Sequence, residues 1–127
     1  MKQKSLILTN NPLVEEKKPG KLPVQFLDTD YIGVLQEARD RIHKGAVLLT
    51  HPLYGSVKPG ETPYRSVLIR EGGNDVDYRS LELIESSIST CRKFRDRTGL
   101  FRAEAVKDFQ MIDLSLLMSG LEGFDVR

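Results

Sequence analysis

Residues 22–50 read LPVQFLDTDYIGVLQEARDRIHKGAVLLT and hold a helix between two extended segments. Leu22–Asp28 has an extended pattern, and Ala46–Thr50 is an unbroken apolar run of the kind found in buried strands. Between them, capping residues precede apolar residues at helical spacing over Tyr31–Lys44, and Gly45 follows the last turn. A strand, a helix and a second strand in this order predict a right-handed crossover and parallel pairing.

The flanking sequence continues the pattern in both directions. Ser5–Thr9 and Ser66–Ile69 are short apolar runs that predict two more strands. One helix is predicted after a cap at Asp77, and another begins near Glu104 and stops at Gly120. We therefore predict a single α/β domain over residues 1–127, with a small, mostly parallel sheet of about four strands flanked by three helices.

The composition excludes several classes of function. Nineteen basic and 18 acidic residues give a net charge of +1, which disfavours binding to nucleic acid or to anionic membranes. No apolar run approaches the roughly 20 residues of a membrane span, and no signal-peptide core is present, so we expect a cytoplasmic protein. The single cysteine, Cys91, allows neither an internal disulfide nor a cysteine-based metal site. The sequence indicates no metal, no particular cofactor and no oligomeric state.

Similar polar residues follow two of the predicted strands. Thr9, Asn10 and Asn11 come after the first, and Thr50 and His51 come after the third. In a parallel sheet these strand ends lie on one edge, where α/β proteins commonly bind ligands. We therefore predict that the two sets face a common pocket. The alternative is that they only close the strands by bonding local backbone.

The segment 54–65 is long for a loop in a small domain, and such loops often carry function. It offers the hydroxyls of Ser56 and Tyr64 and the positive charges of Lys58 and Arg65, which could hold a phosphate or a carboxylate. The glycines do not form a phosphate-binding motif of known sequence. The alternative is a solvated loop with incidental charges.

Two residues are candidates for acid–base chemistry. His51 is suited to proton transfer because its unperturbed pKa lies near neutrality. Asp113 borders the predicted apolar stripe of Phe109, Ile112 and Leu116, so its carboxylate could be buried and orient His51. The alternatives are a histidine that caps a strand edge and an aspartate that remains in solvent.

Four segments resemble the GrdX family. They are LTNNPLV (8–14), HKG (43–45), LLTHPLYGSVKPGETPYRS (48–66) and DFQMIDLSL (108–116). The resemblance implies a small cytoplasmic protein of the kind often encoded beside the glycine reductase genes of amino-acid-fermenting anaerobes. It implies no established activity, and it brings no catalytic residues.

Three hypotheses follow for the function. The first is a small-ligand-binding or accessory protein, with an anionic small molecule or glycine reductase components as partners. The second is a small enzyme that uses His51 as acid or base on an anionic metabolite. The third is a protein interaction module that docks through the basic residues Arg92, Lys93, Arg95 and Arg97, for which a solvated helix end is the alternative.

Overall fold

Four strands and four α-helices are present in the computed structural model, which describes residues 4–54, 62–93 and 103–122. In chain order they are β1 (Lys4–Thr9), α1 (Pro12–Lys17), β2 (Val24–Phe26), α2 (Tyr31–His43), β3 (Val47–Leu48), β4 (Ser66–Glu71), α3 (Tyr78–Lys93) and α4 (Ala103–Glu122). A short 3₁₀ turn, Pro19–Lys21, separates α1 from β2. The α/β class predicted from the sequence is therefore confirmed, with one more helix than expected.

The sheet is mixed, so the prediction of a mostly parallel sheet is wrong. The strand order is β2-β1-β4-β3, and only β1 and β2 pair in parallel within the described residues. β4 pairs antiparallel with both β1 and β3. β4 is apolar and buried from Val67 to Ile69, so it occupies the centre of the sheet and separates β3 from β1. The crossover through α2 thus joins strands that point the same way but are not neighbours.

Helices cover both faces of the sheet. Because side chains alternate along a strand, Leu8, Val67 and Ile69 face α2 and α3, whereas Ile7 and Leu68 face α1 and α4. Each face has its own core, and the second contains Leu117 and Leu121 of α4. The result is three layers, with the sheet in the middle.

Side-chain caps explain where the first two helices begin. Asn11 caps α1 by accepting a hydrogen bond from the backbone N–H of Leu13 at 3.0 Å. Asp30 caps α2 in the same way, through the N–H of Gly33 at 2.9 Å. Asn11 thus caps α1 only two residues after β1 ends. The end of β1 therefore lies against the first turn of a helix.

The predicted end of α4 at Gly120 is wrong, because the helix continues to Glu122. A Cβ atom at Gly120 would lie 3.3 Å from Cγ2 of Thr50, closer than most such contacts. Gly120 therefore permits α4 to pack against the end of β3 and does not terminate the helix. The consequence is that α4 lies over the sheet edge at which β1 and β3 end.

Candidate functional site

The ends of β1 and β3 lie at one edge of the sheet, on either side of the beginning of β4. This follows from the pairing, since both strands run antiparallel to β4. Thr9 meets Ser66 across the ladder, with 2.6 Å between Oγ1 and Oγ. Oγ1 of Thr50 accepts a hydrogen bond from the N–H of Leu68 at 2.9 Å. We call this edge, with the residues of α4 that cover it, the strand-edge site.

Asp113 of α4 lies at the centre of the strand-edge site and is only 2% exposed. Its Oδ2 accepts hydrogen bonds from Oγ of Ser66 at 2.7 Å and from Nδ2 of Asn11 at 3.1 Å. The hydroxyl of Tyr54 lies 3.5 Å from Oδ1. Every partner is a donor, which is the arrangement that an ionised carboxylate requires.

The protons of this network run in one direction. Ser66 has one hydroxyl proton and gives it to Asp113, so Thr9 must donate to Ser66. Oγ1 of Thr9 in turn accepts from the backbone N–H of Asn11 at 2.9 Å. A chain of hydrogen bonds therefore leads from the start of α1, through two hydroxyls, to the carboxylate.

Asn10 joins three segments of the chain. Its Nδ2 donates to the carbonyl oxygens of Thr29 at 3.1 Å and Pro63 at 2.9 Å. Its Oδ1 accepts from the backbone N–H of Arg65 at 2.9 Å. Both amide protons are thus in use. Asn10, which we predicted to bind ligand, thus holds backbone groups distant in sequence, and Asn11, predicted likewise, bonds the backbone of Leu13 and Gln110 as well as Asp113.

Arg65 is the most unusual residue of the site, because its side chain is buried to 1% exposure. The guanidinium carbon lies 4.9 Å from the ring centre of Tyr31 and 4.4 Å from that of Tyr54. Nη1 donates to the carbonyl oxygen of Tyr54 at 3.2 Å, but Nε has no hydrogen-bond partner. Within residues 4–54, 62–93 and 103–122, no ion pair includes Arg65.

The two tyrosines beside Arg65 remain neutral. Burial raises the pKa of Tyr31 to about 12, although the positive charge of Arg65 acts in the opposite direction. Burial also raises the pKa of Tyr54 well above its usual value, and the negative charge of Asp113 adds to this rise. Neither phenol therefore supplies a negative charge to Arg65 near neutral pH. The buried hydroxyl of Tyr31 has no hydrogen bond of ordinary geometry, although it lies close enough to the guanidinium of Arg65 for that contact to lower its pKa.

His51 and Asp113, the predicted catalytic pair, are not brought together by any hydrogen bond of the described residues. His51 is exposed and lines an open cavity beside β3 and α3. Its Nδ1 accepts from the backbone N–H of Leu53 at 3.0 Å. Asp113 instead bonds to Ser66, Asn11 and Tyr54. The bond between His51 and Leu53 closes the turn that follows β3.

The remaining predicted residues fall in different places. Tyr64 is half-buried, and its hydroxyl accepts from Nε2 of Gln110 at 3.0 Å. Ser56 and Lys58 lie outside the described residues. So do Arg95 and Arg97 of the basic segment, whereas Arg92 and Lys93 are exposed at the end of α3.

Comparison with known proteins assigns the chain to a family. A family model described as GrdX-like protein matches residues 6–122, nearly the whole chain. The chain belongs to the GrdX-like protein family. Neither the curated proteins nor the solved structures provide a match. The resemblance noted from the sequence is thus confirmed, and every residue of the strand-edge site lies inside the matched range.

In this GrdX-like chain the buried face of α4 differs from the predicted stripe. Ile112 is 41% exposed, whereas Asp113, Leu117 and Leu121 are buried at intervals of four residues. Asp113 therefore occupies the middle of the packed face and not its border. The spacing of Asp113 from the two leucines was the sequence signal for this position.

Four residues of the site in this GrdX-like protein were not predicted. They are Ser66, Tyr31, Tyr54 and Gln110. Ser66 opens an apolar strand, and Tyr31 begins a helix, so each had an ordinary structural interpretation. The chemistry of these side chains was visible in the sequence, but their proximity depends on the antiparallel direction of β4 and on the docking of α4.

Two absences concern the described residues alone. They contain no group of three or more His, Cys, Asp or Glu side chains placed to hold a metal ion. No helix among them has the length and apolar character to cross a membrane.

Proposed function

We propose that this GrdX-like protein binds a small anion at the strand-edge site, with Arg65 as the anchor. The observation that carries the proposal is the buried guanidinium with an unpartnered Nε. A buried charge with no ion pair among the described residues is costly, because the protein replaces only part of the hydration that the charge loses. An anionic ligand would supply the missing partner.

The contacts of Arg65 favour a ligand with two acceptor oxygens. The tyrosine rings lie near the guanidinium and provide cation–π attraction without neutralising it. Nη1 is already bonded to the carbonyl oxygen of Tyr54, which leaves the Nε side of the group for a partner. Carboxylates and phosphates bind arginine through two parallel hydrogen bonds. The unpartnered hydroxyl of Tyr31 offers a further donor or acceptor.

The hydrogen bonds around Asp113 support the same proposal by holding the site in shape. Residues of β1, β4 and α4 are joined there, and Tyr54 contacts both charged groups. A preorganised site loses less entropy when a ligand binds. Because Arg65 is nearly inaccessible, a ligand must displace some of the covering side chains, and we expect association to be slower than at an open site.

The family adds a biological context to the proposal. If these proteins act beside glycine reductase, the natural ligands to test are glycine, acetate, phosphate and acyl phosphates. The protein would then be an accessory to amino-acid reduction, acting on the supply of such anions or on assembly and maturation of the reductase. Co-purification of glycine reductase components with the tagged protein tests the second role.

Thermal unfolding in the presence of glycine, acetate, phosphate or an acyl phosphate, each of which carries a carboxylate or phosphate group, tests ligand binding. A ligand at 100 times its Kd stabilises the native state by about 2.7 kcal/mol, so we expect a rise of several degrees in Tm. Arg65→Lys keeps the charge but loses the planar fork, and should reduce the rise by more than half. Arg70→Lys makes the same change at an exposed position of β4 and serves as the control.

Two results would count against the proposal. One is the absence of a Tm rise for the wild-type protein with any of these compounds. The other is an undiminished rise in Arg65→Lys. If Arg65→Lys does not fold, Tyr31→Phe provides the test, since it keeps the ring but removes the unpartnered hydroxyl. We expect that variant to fold and to bind the anion less tightly.

A further inference from the structure

A cavity of about 400 Å³ opens between the outer edge of β3 and the first turn of α3. Apolar residues form one part of its wall and polar residues the other: Val47, Leu48, Leu49 and Leu83, then His51, Asp77 and Arg79. Neither Arg65 nor Asp113 lines it. The cavity is therefore separate from the proposed anion site, although Thr50 of the strand-edge site also lines it.

The outer edge of β3 is already covered, which limits what can enter. The backbone N–H of Leu48 points away from β4 and donates to Oγ of Ser80 at 3.0 Å. Oγ of Ser80 in turn donates to Oδ2 of Asp77 at 2.5 Å. A peptide strand could not pair with this N–H without breaking that chain of bonds. The cavity thus suits a small molecule better than an extended peptide.

Two donors in the wall are free of protein partners among the described residues. Nδ1 of His51 accepts from Leu53, so the neutral ring carries its proton on Nε2, for which no hydrogen bond is found. Arg79 is exposed, and the ion pairs of the described residues do not include it. The carboxylate of Asp77 is engaged at the start of α3, where it accepts from the N–H of Ser80 at 3.1 Å.

We propose that this cavity binds a small monocarboxylate with an apolar tail. Arg79 and Nε2 of His51 would hold the carboxylate, and the apolar part of the wall would cover the tail. The volume lies within the range of roughly 300 to 1,000 Å³ that is usual for ligand pockets. A single negative charge is favoured because the wall offers one cationic side chain and also contains Asp77, which repels a second charge.

Titration of ¹⁵N-labelled protein with butanoate, hexanoate and octanoate tests this proposal. We expect saturating shifts at the amides of Val47, Leu48 and Leu83. Affinity should rise about fourfold with each methylene until the cavity is full. Hexan-1-ol, which has the tail without the charge, and inorganic phosphate, which has charge without a tail, should each bind at least about tenfold more weakly.

Arg79→Gln should weaken hexanoate binding about tenfold. Arg92→Gln removes the same charge from the other end of α3 and should leave binding unchanged. Both side chains are exposed, so both variants should retain the wild-type spectrum. Equal affinity in Arg79→Gln and wild type, or no dependence on chain length, would overturn the proposal.

Arg65→Lys separates the two sites. If hexanoate occupies the cavity, that substitution leaves its affinity unchanged whether or not small anions bind at Arg65. If Arg65→Lys abolishes hexanoate binding while Arg79→Gln retains it, the carboxylate binds at Arg65 and the cavity proposal fails.

Discussion

Ser66 shows how one hydroxyl group joins two layers of the protein. It accepts from Thr9 within the sheet and donates to Asp113 on the covering helix. Buried polar groups of this kind contribute little while they are paired, but they are costly when a partner is removed. Arg65 and Tyr31 are the exceptions at this edge, since each keeps a buried polar atom without a partner. The pairing of buried polar atoms explains the network, and the atoms left unpaired identify the candidate ligand site.

Ser66→Ala is expected to lower the free energy of unfolding by about 1 to 3 kcal/mol. The substitution removes the closest donor to Asp113 and leaves the hydroxyl proton of Thr9 without its acceptor. Urea unfolding followed by circular dichroism measures the change. Ser115→Ala, on the exposed face of α4, should stay within about 0.5 kcal/mol of wild type. A loss no larger at Ser66 than at Ser115 would show that the network does not stabilise the fold.

Part of the strand-edge site could be predicted from the sequence. The remainder could not, because its position depends on the direction of β4. Thr9 and Asn10 directly follow an apolar run, so they had to lie at the end of a strand. Ser66 comes at the beginning of one, and in a parallel sheet it would lie at the opposite edge. Because β4 is antiparallel, its first residue meets Thr9 instead. Strand direction depends on contacts distant in sequence, which local patterns do not record.

Among the elements, α2 agrees best with its sequence pattern. Its predicted range was Tyr31–Lys44, and the helix ends one residue earlier, at His43. A long amphipathic repeat with a cap at each end specifies a helix locally. The two-residue strand β3 agrees less well with its predicted range, Ala46–Thr50. The N–H groups of Leu49 and Thr50 both point to the carbonyl oxygen of Leu68, so these two residues leave the regular ladder. Short edge strands depend on their neighbours more than on their own residues.

Gly45→Ala is expected to be one of the most destabilising single substitutions at a helix end. Gly45 has φ +105°, and an added Cβ would overlap the backbone carbonyl of Gly73. Both the backbone strain and the clash oppose the substitution, so we expect the free energy of unfolding to fall by more than about 2 kcal/mol. Gly20→Ala is the matched comparison, since Gly20 has φ +69° but an added Cβ would meet its neighbours at an ordinary 3.6 Å.

Chemical denaturation of both glycine variants measures the difference. The strain at Gly20 alone should cost about 1 kcal/mol. Equal losses in the two variants would mean that the close approach of Gly45 to Gly73 does not restrain the end of α2.

At the scale of the whole molecule, three layers enclose groups that resist ionisation. Tyr31 and Tyr54 lie at the strand-edge site, and burial raises the pKa of each phenol above its usual value near 10. In the unfolded chain both phenols lose their protons near pH 10. In the native protein they keep them to higher pH, so the native state then holds more protons than the unfolded state. Stability must therefore fall as the pH rises through this range.

Tyr31→Phe should reduce this alkaline loss of stability. A single phenol with a raised pKa removes about 1.4 kcal/mol per pH unit between its unfolded and folded values, which for Tyr31 means from about 10 to about 12. Below pH 9 the variant should be as stable as wild type or more so, because the hydroxyl it removes is buried without a partner. Urea unfolding between pH 8 and 11 gives both the stability below pH 9 and the loss of stability per pH unit above pH 10. A slope identical to that of wild type above pH 10 would contradict the expected titration.

The central pairing of β1 with β4 also has a consequence for synthesis on the ribosome. Thr9 and its partner Ser66 are separated by 57 residues. At about 5 to 20 residues per second, β1 emerges roughly 3 to 11 seconds before the strand that pairs with it. During that interval its apolar side chains and free backbone groups are accessible to chaperones and to other nascent chains. The fate of β1 in the cell should therefore depend on the speed of translation.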